Sequence, residues 1–442
     1  MMAQLGDPFV HTFPPSAYQS DAYVSSPQNW GIIQDNRGIM YVSNTSGVLE
    51  HDGYSWQLVG GTGYNGRFKV AKNSEGKIYV GSKDNLGYLA PDTTGKMQFV
   101  SLLPYLKNKY PEVNVNSIAA LGRDIYFNTE NNLFLWSGNK FNVWENKAGI
   151  TRIFPSQNKL YAIDKEKGLS VLENGGFKAL PGGESLKNLE VTALLPLPPT
   201  TDSNLNFFVV THENGLYSYK NQALKKLDAK PAKVLDDERF MHGLTLADGN
   251  IALATVSNGV VIMSHDGQVI NFIDQENGLG DNAVISLYID KEGGLWAALN
   301  KGISRINYPS PVTYLDETSG LDGIVLEILK KDQFLYAGTA SGLYILNEKD
   351  VLPTFQKLPQ LQREVWKMLD LGNSILILNP LGVYELKGKN LERISPPTEN
   401  IEYKTVYRSG NNQNKFYIGT TKGLFVMTHQ RGKWSGKGKL KM

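Results

Sequence analysis

The chain of 442 residues contains no cysteine. That excludes disulfides, cysteine zinc sites, iron–sulfur clusters and thiol catalysis, and it leaves the compartment open. No stretch reaches the roughly 18 apolar residues that a membrane helix needs. A secretory signal is also missing, because "MMAQLGDPFVHTF" has neither a basic start nor an apolar core. Ala3-Gln4 followed by a polar segment reads as a mature end after signal cleavage, with Met1-Met2 as an added start. An excess of charge is lacking too. Lys+Arg number 45 against 43 Asp+Glu, a net charge of +2, so no global field favours nucleic acid or an anionic membrane. The basic end, "RGKWSGKGKLKM", reads as a solvated strand or tail. Helical periodicity is scarce. One helix-like stretch, "SLLPYLKNKYPEV" at 101–113, is held to about two turns by Pro104 and Pro111.

Marks of catalysis are equally sparse. No GxSxG and no phosphate loop occurs, and "GGTGYNG" at 60–66 lacks Gly-Lys-Ser/Thr and reads as a loop between blades. The six histidines are His11, His51, His212, His242, His265 and His429, with no two within four residues, so no metal ligand spacing exists and no metal or other cofactor is expected. His212 and His242 fall in comparable regions of adjacent repeats and read as turn or surface residues. The carboxylates Asp236-Asp237-Glu238, Asp290, Glu292 and Glu213 form no recognisable pair. Asp290 and Asp35 sit at a repeated turn position, where capping a tight turn is their reading.

What is present is glycine, at 44 residues, and tyrosine, at 22, in a repeat. Residues 278–306, "GLGDNAVISLYIDKEGGLWAALNKGISRI", show an apolar strand, an Asp-x-x-Gly turn, a second strand, then glycine and a third apolar run. The pattern recurs ten times. Its second-strand positions are Gly47, Gly87, Asn132, Gly168, Gly215, Gly259, Gly302, Gly342, Gly382 and Gly423, spaced 36 to 47 residues apart. A period near 40 made of strands indicates propeller blades of four antiparallel strands. Glycine suits a turn with positive φ, and Asn132 tolerates the same region. Tyr41, Tyr79, Tyr126, Tyr161, Phe208, Trp296, Tyr336 and Tyr417 form a stripe that should pack between neighbouring blades. The fold class is therefore all-β, a β-propeller of about ten blades. We expect seven blades over 28–308, with residues 1–27 closing the ring. Residues 309–442 then supply three blades of a second, truncated ring; "NYPSPVTYL" marks the junction, and one ten-bladed ring is the alternative.

These residues resemble the two-component regulator propeller repeat, with Asn282, Val284, Asp290, Gly293, Leu295, Trp296 and Gly302 at its positions. Ala298 and Leu299 replace the usual Gly-Thr, which "YAGTASGL" and "YIGTTKGL" keep. The opening "GDPFVHTFPPSAY…SPQNWGIIQDNRGIMYVSNTSGVLEHDGYSWQLV" is similar to the first blade of such sensors in Bacteroidetes-type bacteria. The resemblance implies a periplasmic sensor region of a histidine kinase or membrane-tethered regulator. It also implies a downstream Ig-like domain, membrane helix and output domain, none of which this sequence contains. A kinase or DNA-binding output would then lie outside this chain, and contact with a membrane would run through that missing segment.

The expected function is a non-enzymatic, ligand-sensing module, with an oligosaccharide or other small molecule as partner. A dimerisation scaffold and a propeller lyase or hydrolase are the alternatives. Loops carry function on such scaffolds. The expected ligand-binding residues are Trp30, Arg67, Lys83, Asn85, Glu130, Arg152, His212, His242, Asn282 and Lys301.

Overall fold

The computed structural model describes residues 6–19, 25–60, 66–106, 109–110, 112–146, 149–197, 205–228, 235, 237–350, 352–396 and 401–437. The expected mature end, most of the 60–66 loop, Pro111, Asp236 and the last five residues of the basic end lie outside them.

Ten four-stranded antiparallel sheets form among the described residues, beside one two-stranded sheet. It divides into two compact units, Met1–Thr313 and Tyr314–Met442. The helical content is confined to three 3₁₀ turns among the described residues, Pro15–Tyr18, Leu103–Leu106 and Glu184–Leu186. The second of these is the helical turn among the described residues of the helix-like stretch.

The first unit holds seven blades. Their inner strands are Asn29–Gln34, Lys69–Lys72, Ser117–Leu121, Ile150–Ser156, Val191–Pro196, Phe240–Thr245 and Val284–Ile289, named here blades 1 to 7. Each inner strand lies beside the next, and Val284–Ile289 returns to Asn29–Gln34, so the ring is closed. Residues 278–306 supply three strands of blade 7, Val284–Ile289, Leu295–Leu299 and Ile303–Ile306. The fourth is Val10–Phe13 from the N-terminal end, which pairs antiparallel with Ile303–Ile306. Asn29 Nδ2 donates to the Gly302 carbonyl at 2.8 Å, and Phe13 stacks on Trp296 with centroids 5.7 Å apart. Each sheet still ends in an inner and an outer edge strand, but radial repetition leaves those edges short and protected.

The aromatic stripe packs between blades. Tyr41, Tyr79, Tyr126, Tyr161, Phe208, Trp296 and Tyr336 are buried, whereas Tyr417 is only half-buried. Tyr41, for example, sits among Val48 and Val59 of blade 1 and Phe68, Ile78 and Val80 of blade 2.

Three of the ten turn positions differ from expectation, Gly382 among them, since it carries no positive φ. Asn132 is not in the left-handed region; it opens the strand Asn132–Trp136 in extended form. In blade 2 the turn is made by Asp84, at φ 53°, and Gly87 lies inside the strand Asn85–Pro91. There a Cβ would come within 2.2 Å of the Val100 carbonyl oxygen, so close approach, not turn geometry, requires the glycine. Gly302 does carry positive φ, at 100°.

The second unit contains the sheets that begin with Val325–Lys331, Lys367–Asp370 and Tyr403–Arg408, here blades 8 to 10. Its core lies at the two joints between those three sheets.

Candidate functional site

The axis of the first ring encloses a cavity of about 480 Å³. Strand register shows what faces it. Pairing each inner strand with its neighbour places Gly31 opposite Ser43, Lys69 opposite Gly81, Ser117 opposite Asn128 and Arg152 opposite Ile163. Ala193, His242 and Ser286 face Val210, Ala254 and Ala298 in the same way. These seven are one repeat position, and all seven line the cavity. Four are small, Gly31, Ser117, Ala193 and Ser286, and leave room. The other three are Lys69, Arg152 and His242.

In five of the seven inner strands a β-bulge immediately precedes this position, as between Ile150 and Arg152 or Phe240 and His242. A bulge sets two residues against one and re-aims the side chains around it. In blade 1 the extra residue is Trp30, whose ring reaches the cavity wall. Its Nε1 donates to Thr45 Oγ1 at 2.9 Å, and the Arg67 guanidinium lies 4.5 Å from the ring centroid. This cation–π contact holds Arg67 at the cavity mouth.

Above the cavity is a wider basin of about 990 Å³. Arg67, Lys69, Lys83, Arg152, Lys165 and Lys187 line it, against a single carboxylate, Glu190. Arg67, Lys69, Arg152 and Glu190 border both spaces, so cavity and basin share a wall. Among the described residues, none of these six cations forms an ion pair.

The electrostatics follow from that lack. Burial, reinforced by Arg152 and Arg67, lowers the Lys69 ammonium to about 8. Burial also lowers Arg152, with Glu190 opposing it. His242 drops to about 4 through burial and the nearby Arg152 and Lys69. Its Nδ1 accepts the Leu287 backbone N–H at 3.2 Å, so the neutral ring carries its proton on Nε2. His212 uses Nδ1–H differently, donating to the Phe240 carbonyl at 3.3 Å.

Of the residues expected to bind ligand, Trp30, Arg67, Arg152, His212 and His242 line the cavity, and Lys83 joins Arg67 and Arg152 at the basin. His242 is thus no turn or surface residue; it stands on an inner strand and faces the axis. Four others are not brought there. Asn85 is buried in the ladder, paired with Ser82. Glu130 is in an exposed turn where its carbonyl accepts from Asn146 Nδ2 at 3.1 Å. The Asn282 side-chain oxygen accepts the Gln275 backbone N–H at 2.8 Å. Lys301 is exposed outside both spaces. Sequence reading missed Lys69. A signal for it exists: Gly31, Lys69, Ser117, Arg152 and Ser286 each stand nine or ten residues before the stripe aromatic of their blade.

The repeated acidic turn is structural. Asp290 Oδ1 accepts the backbone N–H groups of Glu292 and Gly294, while Oδ2 accepts from Trp296 Nε1 and Arg305 Nε, both at 2.8 Å. Burial would raise this carboxyl, but these donors hold it below its ordinary value. Asp35 makes the same turn by accepting from Arg37 and Ile39. Among the described residues no group of three His, Asp or Glu comes together to hold a metal ion.

No protein-family model matches the sequence, and no curated protein matches it. Among solved structures the chain is similar to the extracellular domain of the hybrid two-component system BT3049 from B. thetaiotaomicron. The two are 17% identical with a TM-score of 0.67, over 97% of this chain and 60% of that one. It is also similar to YCF48 bound to D1 peptide, at 12% identity and a TM-score of 0.50, over 69% of this chain and 99% of that one. These likenesses establish the β-propeller fold. The chain spans about three-fifths of the length of the BT3049 domain.

Proposed function

We propose that this chain is a non-enzymatic, ligand-sensing propeller module of an extracytoplasmic, periplasmic signal-transduction regulator. Its ligand is carbohydrate-like and enters the axial cavity of the first ring. The observation that carries this is the cavity itself: about 480 Å³, polar on its walls, with Trp30 and Arg67 fixed at the mouth by their mutual contact. Concave sites with a few convergent polar groups are where small molecules bind. The fold shared with an extracellular two-component domain supports the signalling context. Thermal-shift and calorimetric titration against a panel of neutral and acidic oligosaccharides test the reading. A saturable ligand weakened at least tenfold by Trp30→Ala is expected. No binding across the panel, or release of a cleavage product from any member, would overturn it.

An interaction scaffold is the second reading. The exposed apolar run Ile324, Val325, Leu326 and Ile328 on blade 8 favours it. Light scattering over a hundredfold range of concentration tests it, with dimer expected and a constant monomer counting against it.

A further inference from the structure

The repeat offers an internal comparison. In the second unit the position equivalent to Lys69 and Arg152 is held by Glu327, Lys367 and Thr405, opposite Gly338, Leu378 and Gly419. There the lysine is answered from inside the unit: Lys367 Nζ lies 2.8 Å from Glu327 Oε1. In the first ring the same position carries two cations, and the remaining places are Gly31, Ser117, Ala193, His242 and Ser286, none of them acidic. The bordering basin adds Arg67, Lys83, Lys165 and Lys187. Glu190, at the rim, is the one acid in either wall, and it pairs with none of them.

Unpaired cations removed from water cost stability unless something else neutralises them. Seven-fold repetition gives many ways to place a carboxylate beside Lys69 or Arg152, and the second unit uses one. The small residues around the belt keep the space beside the cations open. Arg152 offers a fork of N–H donors matched to an oxyanion, and Lys69 offers a point charge. His242 adds a neutral Nε2–H donor, because its Nδ1 is occupied by the Leu287 N–H.

We propose that the cavity and basin of the first ring take an anionic ligand, one whose carboxylate or sulfate groups are bound by Arg152 and Lys69, with Arg67 closing over them at the mouth. The proposal rests on the reading of this cavity as the ligand site and narrows the saccharide to an acidic one, uronate-containing or sulfated.

The test is calorimetric titration of the whole chain with four probes: trigalacturonate, its neutral methyl ester, a heparin-derived tetrasaccharide and inorganic sulfate. At least one charged saccharide is expected to bind, with affinity that falls as salt rises. If trigalacturonate is the one, its methyl ester should bind at least tenfold more weakly. If only the heparin tetrasaccharide binds, the source of the oxyanion is sulfate on a sugar. Arg152→Met and Lys69→Met should each weaken binding at least tenfold, while Lys367→Met leaves it unchanged. Melting temperature separates binding loss from misfolding, because removing an unpaired, half-buried cation should leave it equal or higher. Methyl ester binding as tightly as the acid would overturn the inference and leave the saccharide reading standing. Sulfate binding that depends on Arg152, without binding of any sugar, would support the anion site and overturn the saccharide reading. Binding of no anion, or charged-sugar binding untouched by both methionine variants, would overturn the inference.

Discussion

Ile32 in the first unit and Ile328 in the second occupy the same repeat position, opposite Val42 and Ala337. Ile32 is 5% exposed and Ile328 is 63% exposed. Sequence does not separate them, since both are isoleucines on an inner strand. The neighbours do. Asn29–Gln34 lies between two inner strands, of blades 7 and 2. Val325–Lys331 lies beside Lys367–Asp370 and, among the described residues of its unit, beside no other inner strand. A blade buries one face on each neighbour, so the same residue is core or surface according to whether the ring is completed around it. The belt position shows a second contrast: the second unit neutralises its own lysine, and the first ring leaves two cations unanswered.

The first way to break this comparison is to remove the residue that closes the ring. Phe13 stacks on Trp296 and meets His51 and Trp56 edge-on, at 5.4 and 5.5 Å. Phe13→Ala should destabilise the first unit by roughly 3 kcal/mol and leave the second unchanged, read as a shift in one of two calorimetric transitions. A single transition that moves as a whole would show that the units melt together. Next, Gly302→Val places a β-branched residue at φ 100°, with its Cβ 3.0 Å from the Phe13 carbonyl oxygen. A loss of about 1–3 kcal/mol is expected, again in the first unit alone. A melting curve identical to wild type would mean that the turn is not where the register puts it.

Smaller effects come from the belt. Lys69 has a folded value of about 8 against an ordinary 10.5, so the unfolded chain holds more protons between those values. The penalty is fully present below pH 8, and stability should rise as pH climbs from 8 to 10.5. His242, at about 4 against 6.5, should likewise add stability as pH rises through that lower window. The faces around it carry Lys69, Arg152, Arg67, His212 and Glu190, so variants are needed to assign each window. Urea midpoints of wild type minus Lys69→Met should isolate the upper one, and a pH-independent difference would refute the desolvated lysine. Least of all, Lys301→Ala should change stability by under about 0.5 kcal/mol, because the residue is exposed and outside both cavities. A larger drop in urea midpoint would give Lys301 a structural role that its exposed position does not suggest.

The blades are legible in the sequence because each must reverse direction at a glycine and bury an aromatic, and both demands leave residue types at fixed spacing. The turn register is less legible where chemistry substitutes: Asp84 makes the turn expected at Gly87, and Asn132 opens its strand without positive φ. Half of the expected ligand residues face the cavity, and the reason for the split is local. Asn282 and Glu130 commit polar groups to backbone partners, and Asn85 is consumed by the ladder. Lys69 escaped notice because a lysine in an alternating strand reads as solvated. Its spacing from the stripe aromatic groups it with Arg152, and register against the second strand adds His242 to that position.

The pairing of Val10–Phe13 with Ile303–Ile306 also sets an order of events. Val10–Phe13 leaves the ribosome nearly three hundred residues ahead of Ile303, so it is among the last strands of the first unit to find its partner. Until then six blades can stack from local contacts while the seventh joint stays open. Such distant pairings make folding slow and leave apolar surface exposed in the meantime. Val10–Phe13 therefore acts as a latch that reports completion. A chain interrupted anywhere before Ile306 keeps a sticky seam, and only a finished one shuts.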